Sequence, residues 1–485
     1  MADIVLATFN ARYEHCSLGL RCLMANLGDL APRAEMLEFN PDLRTPEAAE
    51  AVLARNPRIV GLGVYVWNAR ESAQLVAELK RLRPGLIIIL GGPEVSYGAD
   101  EQQICRDADF VISGEGERAF PRLCRDVLAG QTPAGKHIRP EPPDPAELEL
   151  PYALYTGADL AHRVLYAEAS RGCPFACEFC LSSLDKAVRD FPLQRLFAAW
   201  DELLERGARG FKFTDRTFNL DVERASAILN FFLERLRPGL FLHFEMVPDR
   251  FSEELFAQVK KFPAGTLQLE VGLQTFNGDV AARIGRRQDA RAAEKNIRRL
   301  SLETAAYIHA DIIAGLPGED LASFAAGFDR LAALGPQEIQ VGLLKRLRGA
   351  PIARHDAQWQ MVYSPYPPYE LRQNGLLDFF TVQRLRRFAR YWDLVANSGV
   401  YPGTSAQICK GPSPFHNFLA LSDWLYARTG ATHAISRERL RELLRIYLTE
   451  ELKQPADKAA ALAARDADLA RRGQKNGAER QARRL

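Results

Sequence analysis

Cysteine is scarce in this chain, with eight residues in 485, and methionine and tryptophan are scarcer, with five of each. So few thiols over such a length exclude the dense disulfide framework of a small secreted domain, and their arrangement matters more than their number. Long apolar runs are missing too: no stretch approaches the ~20 residues that a membrane helix needs. The opening MADIVLATFN lacks a basic leader followed by an apolar segment, so no signal peptide is expected. Neither charge dominates. Lysine plus arginine total 63 against 61 acidic residues, a formal net charge of +2, which gives no reason to expect nucleic acid or a membrane as partner. With 47% hydrophobic and 26% charged residues the composition is that of an ordinary globular protein, and a reducing cytoplasm is the expected compartment.

The chain is long enough for two or three domains. Residues 1–132 alternate β-rich runs with helical ones: "DIVLATF", "RIVGLGVYVW", "GLIIILGGP" and "FVISGEGE" read as strands, with helices over 17–29, 70–83 and 118–129. Strands apolar on both faces and joined by helices indicate a doubly wound parallel sheet, whose ligands sit beyond the carboxyl ends of the strands. The turns "GGPEVSYG" and "GEGE" fall at those ends. Residues 133–158 are Pro-rich and read as a linker. Over 159–350 six candidate strands (163–170, 210–215, 240–246, 267–273, 306–313 and 337–343) alternate with helices, which suits an open partial (β/α)6 barrel. Residues 351–452 contain the aromatic–proline segment "YSPYPPYE" and then helices near 381–397 and 436–452, and 453–485 read as a basic solvated tail. The expected class is therefore α/β: a doubly wound sheet, a partial barrel and a mostly helical C-terminal domain.

Three of the eight cysteines, Cys173, Cys177 and Cys180, stand together in "SRGCPFACEFC" directly after the first barrel strand. A structural zinc site is normally closed by four ligands, and disulfides use an even number. Gly172 and Pro174 oppose a helix there, which leaves a loop wrapping its thiolates round a cluster. Three cysteines on a four-iron, four-sulfur cube leave one iron without a protein ligand, free to bind a small molecule. A zinc site, or buried inert cysteines, is the alternative reading.

The spacing Cys-x-x-x-Cys-x-x-Cys, with Phe179 before the last cysteine and a strand before the first, resembles the radical S-adenosylmethionine (SAM) superfamily. The resemblance implies a [4Fe-4S] cluster on the three cysteines, SAM chelated by the open iron, and reductive cleavage of a carbon–sulfur bond to a carbon radical. "FTDRTFN", "HFEM", "LEVGLQTFN" and "HADIIAGLPGE" end the following strands, where the superfamily has its SAM-binding loops. By that analogy Phe179, Asp215, Glu245, Glu270 and Gln274 contact SAM. The alternative for each acid is a core salt bridge, for example with Arg283 or Arg286.

The doubly wound domain ahead of the barrel resembles the cobalamin-binding domain of cobalamin-dependent radical SAM enzymes. The resemblance implies cobalamin as a further cofactor, with Asn10, Tyr13, Tyr65, Trp67, Gly91, Gly92, Pro93, Glu94, Gly114, Glu115 and Gly116 near the corrin; interface contacts between domains are the other reading of the aromatic and amide residues. The Asp-x-His-x-x-Gly motif that supplies a histidine to cobalt is absent: His15 lies in "YEHCSLG", with Tyr13 where the aspartate would be. Together "TFNARYEHCSLGLR", "YVWN", "LLKRLRGAPI" and "PPYE" resemble a bacterial subfamily with an extra C-terminal domain of unassigned function. The implied reaction is methylation of an unactivated carbon, followed in preference by radical oxidation or cyclisation and aminocarboxypropyl transfer. A small-molecule or peptide substrate and an electron donor such as flavodoxin or ferredoxin are the implied partners. Two further readings stand beside it: a methylthiotransferase, which needs a second cluster from among Cys16, Cys22, Cys105 and Cys124, and a non-catalytic cobalamin or cluster carrier or sensor.

Overall fold

The computed structural model describes residues 2–131 and 135–475. Its first unit is a six-stranded parallel sheet of β1 (Ile4–Phe9), β2 (Ala34–Phe39), β3 (Ile59–Gly63), β4 (Ile87–Gly91), β5 (Phe110–Ile112) and β6 (His137–Ile138), in the order β2-β1-β3-β4-β5-β6. Helices on both faces bury β1 throughout. At Gly61 a Cβ would stand 2.7 Å from the Phe120 ring, so glycine lets the helix Ala119–Leu128 close onto the sheet. Two elements here escape a sequence reading. β2 is "AEMLEF", half-buried, with no β-branched residue, and the helix Thr45–Leu53 follows it. The short β6 lies in the Pro-rich stretch read as linker, where two residues pair with β5.

A second parallel sheet holds all six predicted barrel strands. These are β7 (Leu165–Ala167), β10 (Gly210–Phe213), β11 (Phe241–Met246), β12 (Leu267–Gln274), β13 (Tyr307–Ala314) and β14 (Glu338–Leu343), in the order β14-β13-β12-β11-β10-β7. Between β7 and β10 the hairpin of β8 (Ser170–Arg171) and β9 (Arg189–Asp190) brackets the cysteine loop. Both open edges of this partial barrel are covered. His15 forms a parallel bridge to Val164 at the β7 edge. At the β14 edge the Asn397 side chain accepts from the Ile339 amide at 3.2 Å and donates to its carbonyl at 3.0 Å, satisfying edge groups that would otherwise invite another strand.

Outside the sheet, Trp200 on the helix Leu193–Glu205 is fully buried among Tyr152, Phe213, Phe231 and Phe232. Trp200→Ala should destabilise the protein by about 3–5 kcal/mol, the loss expected for an aromatic side chain removed from a packed core. A urea titration followed by circular dichroism checks it, with an unshifted midpoint as the contrary result.

The C-terminal region is helical: Phe379–Trp392, Pro402–Ile408, Pro414–Thr429, Arg437–Glu450 and Ala456–Lys475. Within the expected solvated tail, the last helix is mostly exposed but docked. Its Asp466 is 1% exposed and accepts the amides of Gly403 and Thr404 at 2.9 Å each, capping the helix Pro402–Ile408. Residues 476–485 of the expected tail lie outside the described residues.

Candidate active site

The cysteine loop is pinned at several points. Cys173 N donates to Asp185 O at 2.8 Å, Cys180 N to Cys177 O at 3.1 Å, and Glu178 N to Ile284 O at 3.0 Å. Gly172 has φ +91°, and a Cβ there would collide with the Ala187 carbonyl oxygen, so only glycine lets the loop leave β8. All three cysteines line one cavity of about 150 Å³ at the carboxyl ends of β10–β13. Cys173 and Cys177 are buried and Cys180 is partly exposed. Burial pushes the Cys173 and Cys177 thiols up; at Cys177 the Arg286 guanidinium, 3.5 Å from Sγ, works the other way.

Phe179, Glu245, Glu270 and Gln274 line the same cavity. Glu245 and Glu270 are register partners on β11 and β12, so their carboxylates stand side by side at the strand ends. Their partners are not Arg283 or Arg286: Glu245 forms an ion pair with Arg216 at 2.7 Å, and Glu270 lies 2.9 Å from Nε2 of His243, whose pKa burial pushes down. Burial pushes Glu245 up despite Arg216. Burial also opposes ionisation of Glu270, but the His243 hydrogen bond and the charges of His309 and Lys212 outweigh it and hold that carboxyl below its usual range. Asp215 is placed differently. It is 2% exposed beneath the loop, accepting from Ala169 N at 2.9 Å and Ser170 Oγ at 2.6 Å, and burial pushes its carboxyl up to about 6. It holds the start of the loop and is not part of the lining.

Arg216, Asp249 and Gln288, which the sequence does not single out, also line the wall, as does Arg286, expected only as a salt-bridge partner of an acid. Arg216 was legible only as the neighbour of Asp215, and the others sit in turns without a periodic pattern. Gln274 Oε1, Asp249 Oδ1 and Gln288 Nε2 are buried with no hydrogen-bond partner among the described residues. Buried polar atoms left unpaired at one cavity await a ligand that is itself polar.

A larger cavity, about 520 Å³, opens at the carboxyl ends of β3, β4 and β5. Tyr65, Gly91, Gly92, Pro93, Gly114, Glu115 and Gly116 line its sheet side, and Leu18–Leu20 and Leu23 another wall. Arg171 and Arg216 close it from the barrel. Gly114 has φ +97° and a Cβ there would face open space, whereas at Gly92, φ +105°, it would strike the Val64 backbone. Glu115 is engaged by Arg171 at 2.7 Å and by Arg189.

Four of the residues expected beside a corrin are not in this lining. Asn10 is buried, donating to His15 O at 2.8 Å and Glu38 at 3.1 Å, and so ties β1 to the seam between the units. Tyr13 is exposed with Arg163 against its ring. Trp67 stacks on the outer face of Tyr65, centroids 4.5 Å apart, and donates to Phe9 O. Glu94 turns away from the cavity to Tyr369 and Arg348. Asn10 and Trp67 are thus held by contacts within the first domain, and Tyr13 and Glu94 by contacts across a domain seam. His15 likewise faces Tyr166, its Nδ1 2.6 Å from the hydroxyl.

The four cysteines considered for a second cluster do not converge. Cys16 faces Asp159, Cys22 faces Glu168, and Cys105 and Cys124 lie in the cores on opposite faces of the first sheet. Among the described residues no group of three His, Cys, Asp or Glu side chains closes on a single metal ion. A four-iron cube takes each thiolate on its own iron, and a loop with three separate thiols facing one cavity fits that donor set.

A doubly wound sheet and a partial barrel that present two cavities to each other, one carrying a three-cysteine loop, define a two-cofactor protein of the radical SAM type. Comparison with known families agrees: the B12 binding domain family matches residues 4–124, the radical SAM superfamily 168–331, and a protein family of unknown function, DUF4080, 357–466. The chain thus joins a B12 binding domain to a radical SAM domain, which supports a cobalamin-dependent radical SAM protein with cobalamin, SAM and a [4Fe-4S] cluster as cofactors. An uncharacterized methyltransferase of Pyrococcus horikoshii is 30% identical over 209 residues, 38% of this chain and 45% of that one. The 2-(S-pantetheinyl)-carbapenam-3-carboxylate methyltransferase of Streptantibioticus cattleyicolor is 27% identical over 338 residues, 61% of this chain and 48% of that one. The chain thus spans about half the length of the curated relatives it matches. The solved structure of OxsB, a cobalamin-dependent SAM radical enzyme, superimposes with a TM-score of 0.60 at 13% identity over 99% of this chain and 80% of that one, a likeness of fold. Among the described residues no helix is long and apolar enough to cross a membrane.

Proposed function

We propose that this protein uses SAM and cobalamin to methylate an unactivated carbon of a small-molecule or peptide substrate. One observation carries the reading: Arg216 lines both the cysteine-bearing cavity and the larger one, so the two candidate cofactor sites meet at a single side chain. The curated relatives named as methyltransferases, and the OxsB structure with aqua-cobalamin and SAM bound, support it. When bound, the cluster supplies the electron that breaks a carbon–sulfur bond of SAM, and cobalamin supplies the transferable methyl group. The chain's own residues bind and orient. In this reading Cys173, Cys177 and Cys180 hold the cluster, while Phe179, Glu245, Glu270 and Gln274 surround SAM. Tyr65, Gly91–Pro93 and Gly114–Gly116 border the corrin, and Asp215 fixes the loop from below. The division 1–132, 133–158, 159–350 and 351–452 goes with it, with the last helix added to the C-terminal domain. A cytoplasmic flavodoxin or ferredoxin would deliver the electron.

Reduced, cofactor-loaded protein should yield S-adenosylhomocysteine together with 5′-deoxyadenosine from SAM. Methylthioadenosine instead would indicate aminocarboxypropyl transfer, and silence with every candidate substrate would indicate a carrier.

Replacing Glu245 or Glu270 by Gln should weaken SAM binding roughly tenfold or more. A carboxylate accepting from an ammonium or ribose hydroxyl contributes about 1.5–3 kcal/mol, and about 1.4 kcal/mol is tenfold in affinity. Calorimetric titration of SAM, with iron content confirming an intact cluster, measures it. Unchanged affinity in both variants would return the two acids to a structural role with Arg216 and His243.

A further inference from the structure

Residues 344–356 leave the end of β14 and touch both candidate cofactor loops within a dozen residues. At one end Arg348 Nε lies 3.1 Å from Glu94 Oε1, directly after the Gly91-Gly92-Pro93 turn of the first domain. Tyr369 donates to the same carboxylate, and Glu94 is 5% exposed. Gly349, φ +83°, packs on Tyr97 so closely that a Cβ would enter the ring. At the other end Ile352 N donates to the Glu178 carbonyl at 2.9 Å. Glu178, between Cys177 and Phe179, receives His355 Nε2 at 2.8 Å and Arg354 Nε at 2.9 Å.

The segment between these ends is stiff. Pro351–His355 is a short helical turn, Ala350 and Ile352 are buried, and Arg346 pairs with Asp356 at 2.7 Å. The C-terminal domain fastens it. Arg346 N donates to Tyr369 O at 3.0 Å and Leu371 N to Leu344 O at 2.8 Å, and Tyr369 also reaches Arg348 Nε at 3.1 Å. Both glutamates are buried, Glu178 against Arg354 and His355 of this segment and Glu94 against Arg348 of the segment and Tyr369 of the C-terminal domain, so removing a partner leaves a buried carboxylate short of compensation and loosens the loop that bears it.

We propose that residues 344–356, clamped by Tyr369 of the C-terminal domain, form a brace that joins the turn after β4 to the cysteine loop and fixes their separation. The domain of unknown function thereby holds two cofactor loops in register. Arg348, Glu94, Glu178 and His355 are positioning residues in it. The proposal rests on the reading of the two cavities as facing cofactor sites, but its mechanical part is independent of that reading.

Hydrogen–deuterium exchange on the full-length, cofactor-free protein tests that part. Arg348→Ala, which removes the contacts to Glu94 and Tyr369 and none to the cysteine loop, should raise exchange severalfold in residues 173–186 as well as in 92–98. His355→Ala should do the same from the opposite end, and His355→Gln, whose amide can still donate to Glu178, should restore the slow rates. Arg348→Lys serves if the alanine variants fail to fold: Lys lacks the Nε contact and should show the remote effect in weaker form. Changes confined to the mutated end, or none, would overturn the brace. In cluster-loaded protein, Arg348→Ala should also speed iron loss to a chelator at least threefold, and an unaltered rate would count against it. Wild-type protein that retains no corrin would instead sink the reading of the larger cavity and leave the exchange result standing.

Discussion

Replacing Cys173, Cys177 or Cys180 with Ala should abolish the [4Fe-4S] cluster, while each of the other five cysteines tolerates replacement. The three thiols belong to one pinned loop and share one cavity. The remaining five lack the character of ligands. Burial pushes Cys16 and Cys124 up to about 12, Cys105 and Cys409 up to about 11 and Cys22 well above its usual value, and none of the five lines the cavity that Cys173, Cys177 and Cys180 share. Anaerobically reconstituted wild type should hold about four irons per chain, and about eight would mark a second cluster. Iron assay and electron paramagnetic resonance of the reduced protein make the comparison. A Cys173/Cys177/Cys180 triple alanine variant with full iron and SAM cleavage would refute the assignment.

The cysteine loop was legible because its information is local: three thiols at fixed spacing, with Gly172 and Pro174 denying a helix. The barrel strands were legible because apolar residues recur along them between helices, even in β14, where only Ile339 is buried. What stayed hidden depends on contacts between distant segments. Glu94 follows two glycines in a turn at a strand end, which suggests a ligand, yet its partners Arg348 and Tyr369 come from more than 250 positions away. Asp215 ends a barrel strand as a SAM contact should, but the amide of Ala169 and the hydroxyl of Ser170 claim its carboxylate. The pairing of Glu270 with His243 rather than with Arg286 follows from register, since Lys212, His243 and Gln268 form one row across β10–β12 and Glu245 and Glu270 the next. Single-sequence periodicity places a residue on a face of its strand; only the register decides its neighbours.

Protein supplied with hydroxocobalamin should retain about one corrin per chain in the cavity at the carboxyl ends of β3–β5, the place where open parallel sheets take their ligands. No histidine should reach the cobalt. His15 is bridged to Val164, its ring nitrogen is taken up by Tyr166, and it is not among the residues lining the cavity. His15→Ala should therefore leave the visible spectrum of the bound corrin unchanged. Two adjacent glycines separate ligand binding from folding. A Cβ on Gly91 meets nothing closer than the Ile112 carbonyl oxygen at 3.8 Å, an ordinary contact, so Gly91→Val puts methyl groups at the cavity wall without disturbing the turn. At Gly92 the positive φ and the Val64 backbone forbid any side chain, so Gly92→Val should destabilise the domain itself. Gly91→Val is expected to lower corrin retention roughly tenfold or more, about 1.4 kcal/mol or above, with iron content and thermal midpoint unchanged. Gly92→Val should lose both corrin and thermal stability. Equal retention by wild type and Gly91→Val would move the corrin out of this cavity. No corrin held by a cluster-loaded protein that still binds SAM would remove cobalamin from its chemistry, and methyl transfer with it.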